Sequence, residues 1–79
     1  MRMICDEGVY EIMQASWSGE KNDPSAGSLM FIIFEEEKYK NYRNSALFID
    51  DISKEKANEF LEALYETGHC DVRGYEINY

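Results

Sequence analysis

Four glutamates recur along one segment at spacings that suit a single face of a helix. Between Ser53 and Gly68 they follow one another by four, three and four residues, and they are Glu55, Glu59, Glu62 and Glu66. At about 100° per residue they fall within roughly 60° of each other, so a helix would present them as one stripe. Like charges four residues apart destabilise a helix slightly. The stripe therefore either binds a basic partner or is tolerated as a solvated face.

The whole chain is acidic, with 16 Asp and Glu against 8 Lys and Arg and a formal net charge of −8 at pH 7. Nucleic acids and anionic membranes both attract clustered Lys and Arg, so neither is expected to bind directly. Negative charge favours solubility and attraction to basic surfaces. A basic, nucleic-acid-binding surface of another protein is the predicted partner. An acidic domain without a specific partner is the alternative.

His69, Cys70 and Asp71 place the only histidine beside a thiol and a carboxylate, the three groups of a Cys–His–Asp triad. Neighbours on an extended strand point to opposite faces, so His69 and Cys70 could not readily share a proton. A histidine at a helix end, favoured there by the helix dipole, followed by a buried structural cysteine is the simpler interpretation. The sequence also lacks a phosphate-binding loop, a dinucleotide fingerprint, a zinc-ligand set and a nucleophile elbow. No enzyme activity and no cofactor are predicted.

Two further groups of acids could hold calcium or magnesium, which prefer oxygen ligands on a turn. They are Asp50 and Asp51 after one predicted strand, and Glu35, Glu36 and Glu37 after another. No Asp-x-Asp-x-Asp-Gly loop is present, so no metal site is predicted. Asp50 or Asp51 is more simply an anion at a helix start, and the triple glutamate a charged strand end that deters edge pairing. Both groups are secondary candidates for contact with a basic partner.

Tyrosines offer another candidate contact surface. Tyr39 and Tyr42 lie in a polar segment, although other residues supply the predicted core. Tyrosine is enriched at protein interfaces because it combines a large rigid area with a polar tip. The alternative is tyrosines half-buried at the rim of a small core. A final strand with Tyr75, Ile77 and Tyr79 could also pair across a two-fold axis, which makes a self-associating or docking subunit the competing function.

The elements that must position these residues are those of one small domain over residues 1–79. Extended patterns and turn signals predict strands over residues 2–5, 9–17, 29–34, 45–49 and 69–79. Ser53 as N-cap and Gly68 after the last turn bound the predicted helix. The expected fold is α+β, with a mostly antiparallel sheet of about four to five strands in the order β-β-β-β-α-β and the helix packed on one face.

Three local features complete the expected fold. The unbroken apolar run Leu29–Phe34 predicts a strand buried on both faces at the centre of the sheet, and Gly74 predicts a bulge in the last strand. Cys5 and Cys70 are expected to be reduced thiols, with a disulfide between the chain ends left open. No apolar run approaches the roughly 20 residues that span a bilayer, and no signal-peptide pattern opens the chain. A cytoplasmic protein is therefore expected.

The preferred function is that of a small acidic protein-binding domain, an inhibitor or adaptor that occupies a basic surface of its partner. Carboxylates on a rigid helix can take positions that nucleic acid phosphates would otherwise occupy. Small acidic domains without motifs are common among phage-encoded inhibitors of host nucleases, restriction systems and CRISPR effectors. This interpretation is based only on the small size and acidic composition that the chain shares with such inhibitors, because no motif identifies a family.

Overall fold

The computed structural model describes residues 1–20, 23–34 and 44–78, and its elements follow the predicted β-β-β-β-α-β order. The elements are β1 (Arg2–Cys5), β2 (Gly8–Gly19), β3 (Gly27–Phe34), β4 (Asn44–Ile52), α1 (Lys54–Thr67) and β5 (His69–Asp71). They form a five-stranded sheet in the order β4-β3-β2-β1-β5. Only the β1–β5 pair is parallel, so the predicted mostly antiparallel α+β fold is confirmed.

Helix α1 joins β4 at one edge of the sheet to β5 at the other. Five strands spaced about 4.8 Å apart span about 19 Å between the outer two. A helix of 14 residues is about 21 Å long, so α1 alone can cross the sheet. No helix in the described residues is long and apolar enough to span a membrane.

Two bulges adjust which side chains reach the core. In β2 the register with β3 shifts between Ile12 and Gln14, so that Ile12 and Ala15, three residues apart, are both buried. In β4 a second shift accompanies Asp51, whose φ of 53° is in the left-handed region. The extra residue there lets both Ile49 and Ile52 face the core.

One hydrophobic core lies between the sheet and α1. Its buried members come from every strand and from the helix, with Ala57 and Leu64 as the helix residues of the cluster. Burying a side chain of this size stabilises the fold by about 1.5–3 kcal/mol. The largest fully buried side chains are Phe31, Met3, Leu29, Ile33, Leu47, Ile49, Leu64 and Val72.

The prediction that Leu29–Phe34 is buried on both faces is wrong. Leu29, Phe31 and Ile33 are buried, whereas the alternate residues Met30 and Ile32 stay partly exposed. In the described residues α1 covers only one side of the sheet, so β3 has a buried face and an outer face. The middle strand of the sheet is β2, and β3 lies between β2 and β4.

The predicted final strand over residues 69–79 is also wrong beyond Asp71. Val72 turns into the core, and Gly74 adopts a φ of 94° in a turn that ends the strand rather than in a bulge. Tyr75 then packs edge-to-face on Phe60, with ring centroids 5.3 Å apart. The chain returns to the opposite edge of the sheet, where the backbone of Asn78 pairs with that of Phe48 in β4. Residues 72–78 therefore do not form a free C-terminal strand that could pair with a second copy.

Candidate protein-binding surface

Both predicted ends of α1 are confirmed. The Ser53 hydroxyl accepts a hydrogen bond from the backbone N–H of Lys56 at 3.1 Å, and the N–H of Lys54 donates to the carbonyl of Pro24 at 2.8 Å. At the other end Gly68 has a φ of 85°, and its N–H donates to the Leu64 carbonyl at 3.0 Å. These contacts satisfy backbone groups that a helix end leaves without partners. The segment with the glutamates is thus an ordered, capped helix.

The acid stripe (Glu55, Glu59, Glu62 and Glu66) lies on the outer side of α1, and all four residues are exposed. Ala57 and Leu64 on the other side of the helix have no exposed surface. The structure therefore confirms that the four glutamates share a helix and point to solvent. Their carboxylates project from a backbone held by core packing along most of its length.

Lys56 lies beside the stripe and was not singled out from the sequence. Lys56 pairs with Glu59 at 3.2 Å, one turn away, and lies 5.3 Å from the centre of the Phe60 ring. The hydrogen bond and charge of Glu59, followed by the charge of Tyr75, raise the pKa of Lys56. Among the described residues, the other three glutamates of the stripe have no ion-pair partner. The carboxylates without such a partner are therefore Glu55 in the first turn and Glu62 and Glu66 in the second half of the helix.

Tyr65 ties α1 to the sheet and was not singled out from the sequence. Its hydroxyl donates to the carbonyl of Ala15 and accepts from the N–H of the same residue, both at 3.1 Å. Ala15 lies in the part of β2 that extends past the start of β1. A side chain here replaces the hydrogen bonds of a missing neighbouring strand. No local pattern predicts this contact, because Ala15 and Tyr65 are 50 residues apart in the chain.

The aspartates predicted to support the acid stripe lie elsewhere. Asp50 and Asp51 belong to β4 and do not lie directly at the helix start. The Asp50 carboxylate accepts hydrogen bonds from Ser28 Oγ at 2.8 Å and Asn78 Nδ2 at 2.9 Å, on the side of the sheet away from α1. Asp51 is exposed at the bulge. The structure therefore does not combine Asp50 with the stripe, because the sheet separates them.

Five other predicted contact residues lie outside the described residues, and they are Glu35, Glu36, Glu37, Tyr39 and Tyr42. In the described part of the chain, no three His, Cys, Asp or Glu side chains come together in a way that could hold a metal ion.

The His69–Cys70–Asp71 segment forms β5 with the alternation expected of a strand. Cys70 is buried, whereas His69 and Asp71 are exposed on the other face. Burial, together with the charge of Asp71, raises the pKa of the Cys70 thiol to about 11, so the thiol is protonated at neutral pH. Arg73 binds the Asp71 carboxylate through two guanidinium nitrogens and lowers its pKa. The three groups do not form a nucleophilic site.

Cys5 and Cys70 are both buried free thiols. Cys70 is aligned with Met3, and Cys5 lies two residues further along β1. That register separates their Cα atoms by about 8 Å, more than the roughly 7 Å that a disulfide tolerates without backbone movement. The two thiols contribute to the core as small apolar side chains.

Two open clefts lie away from the acid stripe. One, of about 560 Å³, is lined by the N-terminus, Arg2, Glu11 and His69, and Glu11 already pairs there with Arg2 and the terminal amine. The other, of about 410 Å³, lies between the end of β2 and the end of β4. Ser28 and Asp50, which are hydrogen-bonded to each other, line this second cleft.

Comparisons of the chain with protein-family models, curated proteins and solved structures found no match. Function is therefore inferred from the surfaces of the molecule itself.

Proposed function

We propose that this protein binds a basic surface of another protein through the acid stripe, and that it acts as an inhibitor or adaptor at a surface where the partner binds nucleic acid. The observation that carries the proposal is the exposure of all four stripe glutamates on a helix that is capped at both ends. The proposal assigns no catalytic role, cofactor or metal to the chain.

The helix supports this function because its carboxylates are held in a fixed row before binding. From Glu55 to Glu66 the row extends about 16 Å along the helix axis. Core packing of Leu64 and the bonds between Tyr65 and Ala15 hold the helix against the sheet. Less conformational entropy is lost on binding when the interacting groups are already ordered.

Charge gives the interaction its speed and its salt dependence. A net charge of −8 attracts a basic surface over a long range and raises the association rate. Exposed charges are screened beyond about 8–10 Å at physiological ionic strength, so raised salt is expected to slow association. A partner that binds equally well in high salt would contradict this mechanism.

The setting that we propose is the cytoplasm of a cell in which a phage-encoded protein opposes a host defence enzyme, such as a restriction or CRISPR nuclease. Such enzymes hold nucleic acid in basic grooves, which are the surfaces that a row of carboxylates can occupy. The partner is then expected to lose nucleic acid binding when this protein is bound.

The test is a paired charge reversal in the stripe, Glu59→Lys with Glu62→Lys, used for affinity capture from the native host beside the unaltered protein. A matched control, Glu20→Lys with Glu76→Lys, changes the net charge equally at two other exposed acids. We expect the stripe variant to lose a protein that both others retain. Nucleic acid that the captured protein binds should compete with the unaltered protein for the captured protein.

Equal retention by the stripe variant and the control would remove the stripe from the mechanism. Circular dichroism of both variants establishes that the fold is intact, because every substituted residue is exposed and outside the core.

A further inference from the structure

The side of the sheet away from α1 has an unusual composition on β2, β3 and β4. From Gln14 to Ser18 in β2, and along β3 and β4, the described outward positions alternate with the buried residues and are Gln14, Ser16, Ser18, Ser28, Met30, Ile32, Phe34, Ala46, Phe48 and Asp50. Among these described positions Asp50 is the only charged residue, although 30% of the chain is charged. Nearer the start of β2, Glu11 also points outward and pairs with Arg2 of β1. An antiparallel sheet with one solvated face usually alternates apolar and polar residues, and β3 does not.

The apolar part of this side is the outer patch, defined as Met30, Ile32, Ala46 and Phe48. Met30 is paired with Phe48 across the two strands, and Ile32 with Ala46, so the four side chains are neighbours. All four are partly exposed. Depletion of charge together with methionine and aromatic residues is the composition that distinguishes the centres of protein interfaces from other surfaces.

We propose that the outer patch binds the outer patch of a second copy, so that two sheets pack back to back in a homodimer. β3 is apolar on both faces, which suits a strand covered on both sides, and in the described residues α1 covers only one. Two antiparallel sheets stack about 10 Å apart when their facing side chains interdigitate. In a homodimer with a two-fold axis, the same patch of each copy forms the interface.

Charge favours a second copy over a basic partner at this patch. The Asp50 carboxylate at its end already accepts two hydrogen bonds, and the patch itself carries no charge that would attract a basic surface. The acid stripes lie on the opposite sides of the two sheets. Layers about 10 Å thick separate the two helices by about 30 Å, beyond the distance at which salt screens exposed charges. The two acid stripes therefore add little to the repulsion between two copies that meet at this face.

The dimer extends the proposed function without depending on it. Two acid stripes would face outward in opposite directions, so that one dimer could bind two basic surfaces. The stripe is on α1 and the outer patch is on β3 and β4, and separate variants test the two surfaces.

The test is sedimentation equilibrium of the full chain from low micromolar to near-millimolar concentration. We expect the unaltered protein to approach twice the mass of a single chain as concentration rises. Met30→Lys with Ile32→Lys should weaken the dimer by about 100-fold or more, because two charges would be buried without partners. The stripe variant Glu59→Lys with Glu62→Lys should leave the dimer unchanged.

Val9→Lys is the matched control, since Val9 is 61% exposed and lies seven residues along β2 from Ser16, the partner of Met30. That separation is about 23 Å. Should the paired lysine variant lose its sheet signal in circular dichroism, the milder Met30→Gln variant takes its place in the comparison. A mass that stays monomeric at every concentration, or a dimer that a folded patch variant leaves unchanged, overturns the proposal.

Discussion

The two sides of this small protein carry opposite chemistry. On the outer side of α1 four carboxylates project into solvent, whereas the described outward positions of β3, β4 and residues 14–18 of β2 include a single charged residue, Asp50. The charged pair of Arg2 and Glu11 on the same side of the sheet lies nearer the β1 edge. A uniform coat that serves only solubility would place charges on the β3–β4 part as well. The difference supports our proposals that the acid stripe binds a basic surface and that the outer patch binds an uncharged one.

Both sides depend on the core between them, so the largest effect is expected from a core substitution. Leu64→Ala truncates a helix side chain that packs in the core against the sheet and has no exposed surface. We expect the free energy of unfolding to fall by about 2–5 kcal/mol. Urea denaturation followed by circular dichroism measures this loss. The exposed neighbour Glu62→Ala is the control and should change stability by less than about 0.5 kcal/mol.

Raised pH is expected to weaken the same core from the β5 side. The pKa of the Cys70 thiol is about 11 in the folded protein against an ordinary value of 9.0. Between these values the folded state binds more protons than the unfolded state. The contribution of this thiol to the free energy of unfolding is therefore fully present below pH 9 and is lost as pH rises toward 11. We expect a loss of about 1–2 kcal/mol across this range. Urea denaturation at several pH values measures it.

Cys70→Ala provides the control for the pH experiment. Its stability should vary less between pH 9 and 11 than that of the unaltered protein, because the variant has no thiol at this position. Parallel curves for the two proteins would contradict a contribution from this thiol.

Removal of the Tyr65 hydroxyl tests whether the helix side and the outer patch are independent of each other. Tyr65→Phe loses both hydrogen bonds to the backbone of Ala15 and keeps the ring. We expect a decrease of about 1 kcal/mol in the free energy of unfolding. Hydrogen exchange should become faster at the Ala15 amide. Dimerisation through the outer patch should not change, and a dimer weakened by Tyr65→Phe would mean that the two sides are coupled.

The smallest expected effect is an increase in stability rather than a decrease. Glu66→Lys places a cation in the last turn of α1, where none is present, and creates a favourable pair with Glu62 four residues earlier. We expect stability to increase by about 0.5–1 kcal/mol while binding to a basic partner weakens. Thermal denaturation measures the first change, and Glu66→Gln isolates the removal of repulsion. A decrease in stability would show that Glu66 has a structural role.

The helix could be predicted from the sequence because its signals are local. Ser53, Gly68 and the spacing of the four glutamates specify the start, the end and the exposed side within 16 residues. The outer face of β3 could not be predicted, because an apolar run shows that both faces are apolar and not whether both are covered. The contact of Tyr65 with Ala15 and the turn after Asp71 depend on residues brought together only by the complete fold.

The parallel pairing of β1 with β5 has a consequence for how the protein is made. Arg2 in β1 is aligned with His69 in β5, which follows all the other strands and the helix along the chain. During translation the outer edge of β1 therefore stays unpaired until β5 has been synthesised and released. Pairing across such a long stretch of chain slows folding and leaves a strand edge open to neighbours meanwhile. A nascent chain that ends before β5 is the form of this protein most exposed to aggregation and to proteases.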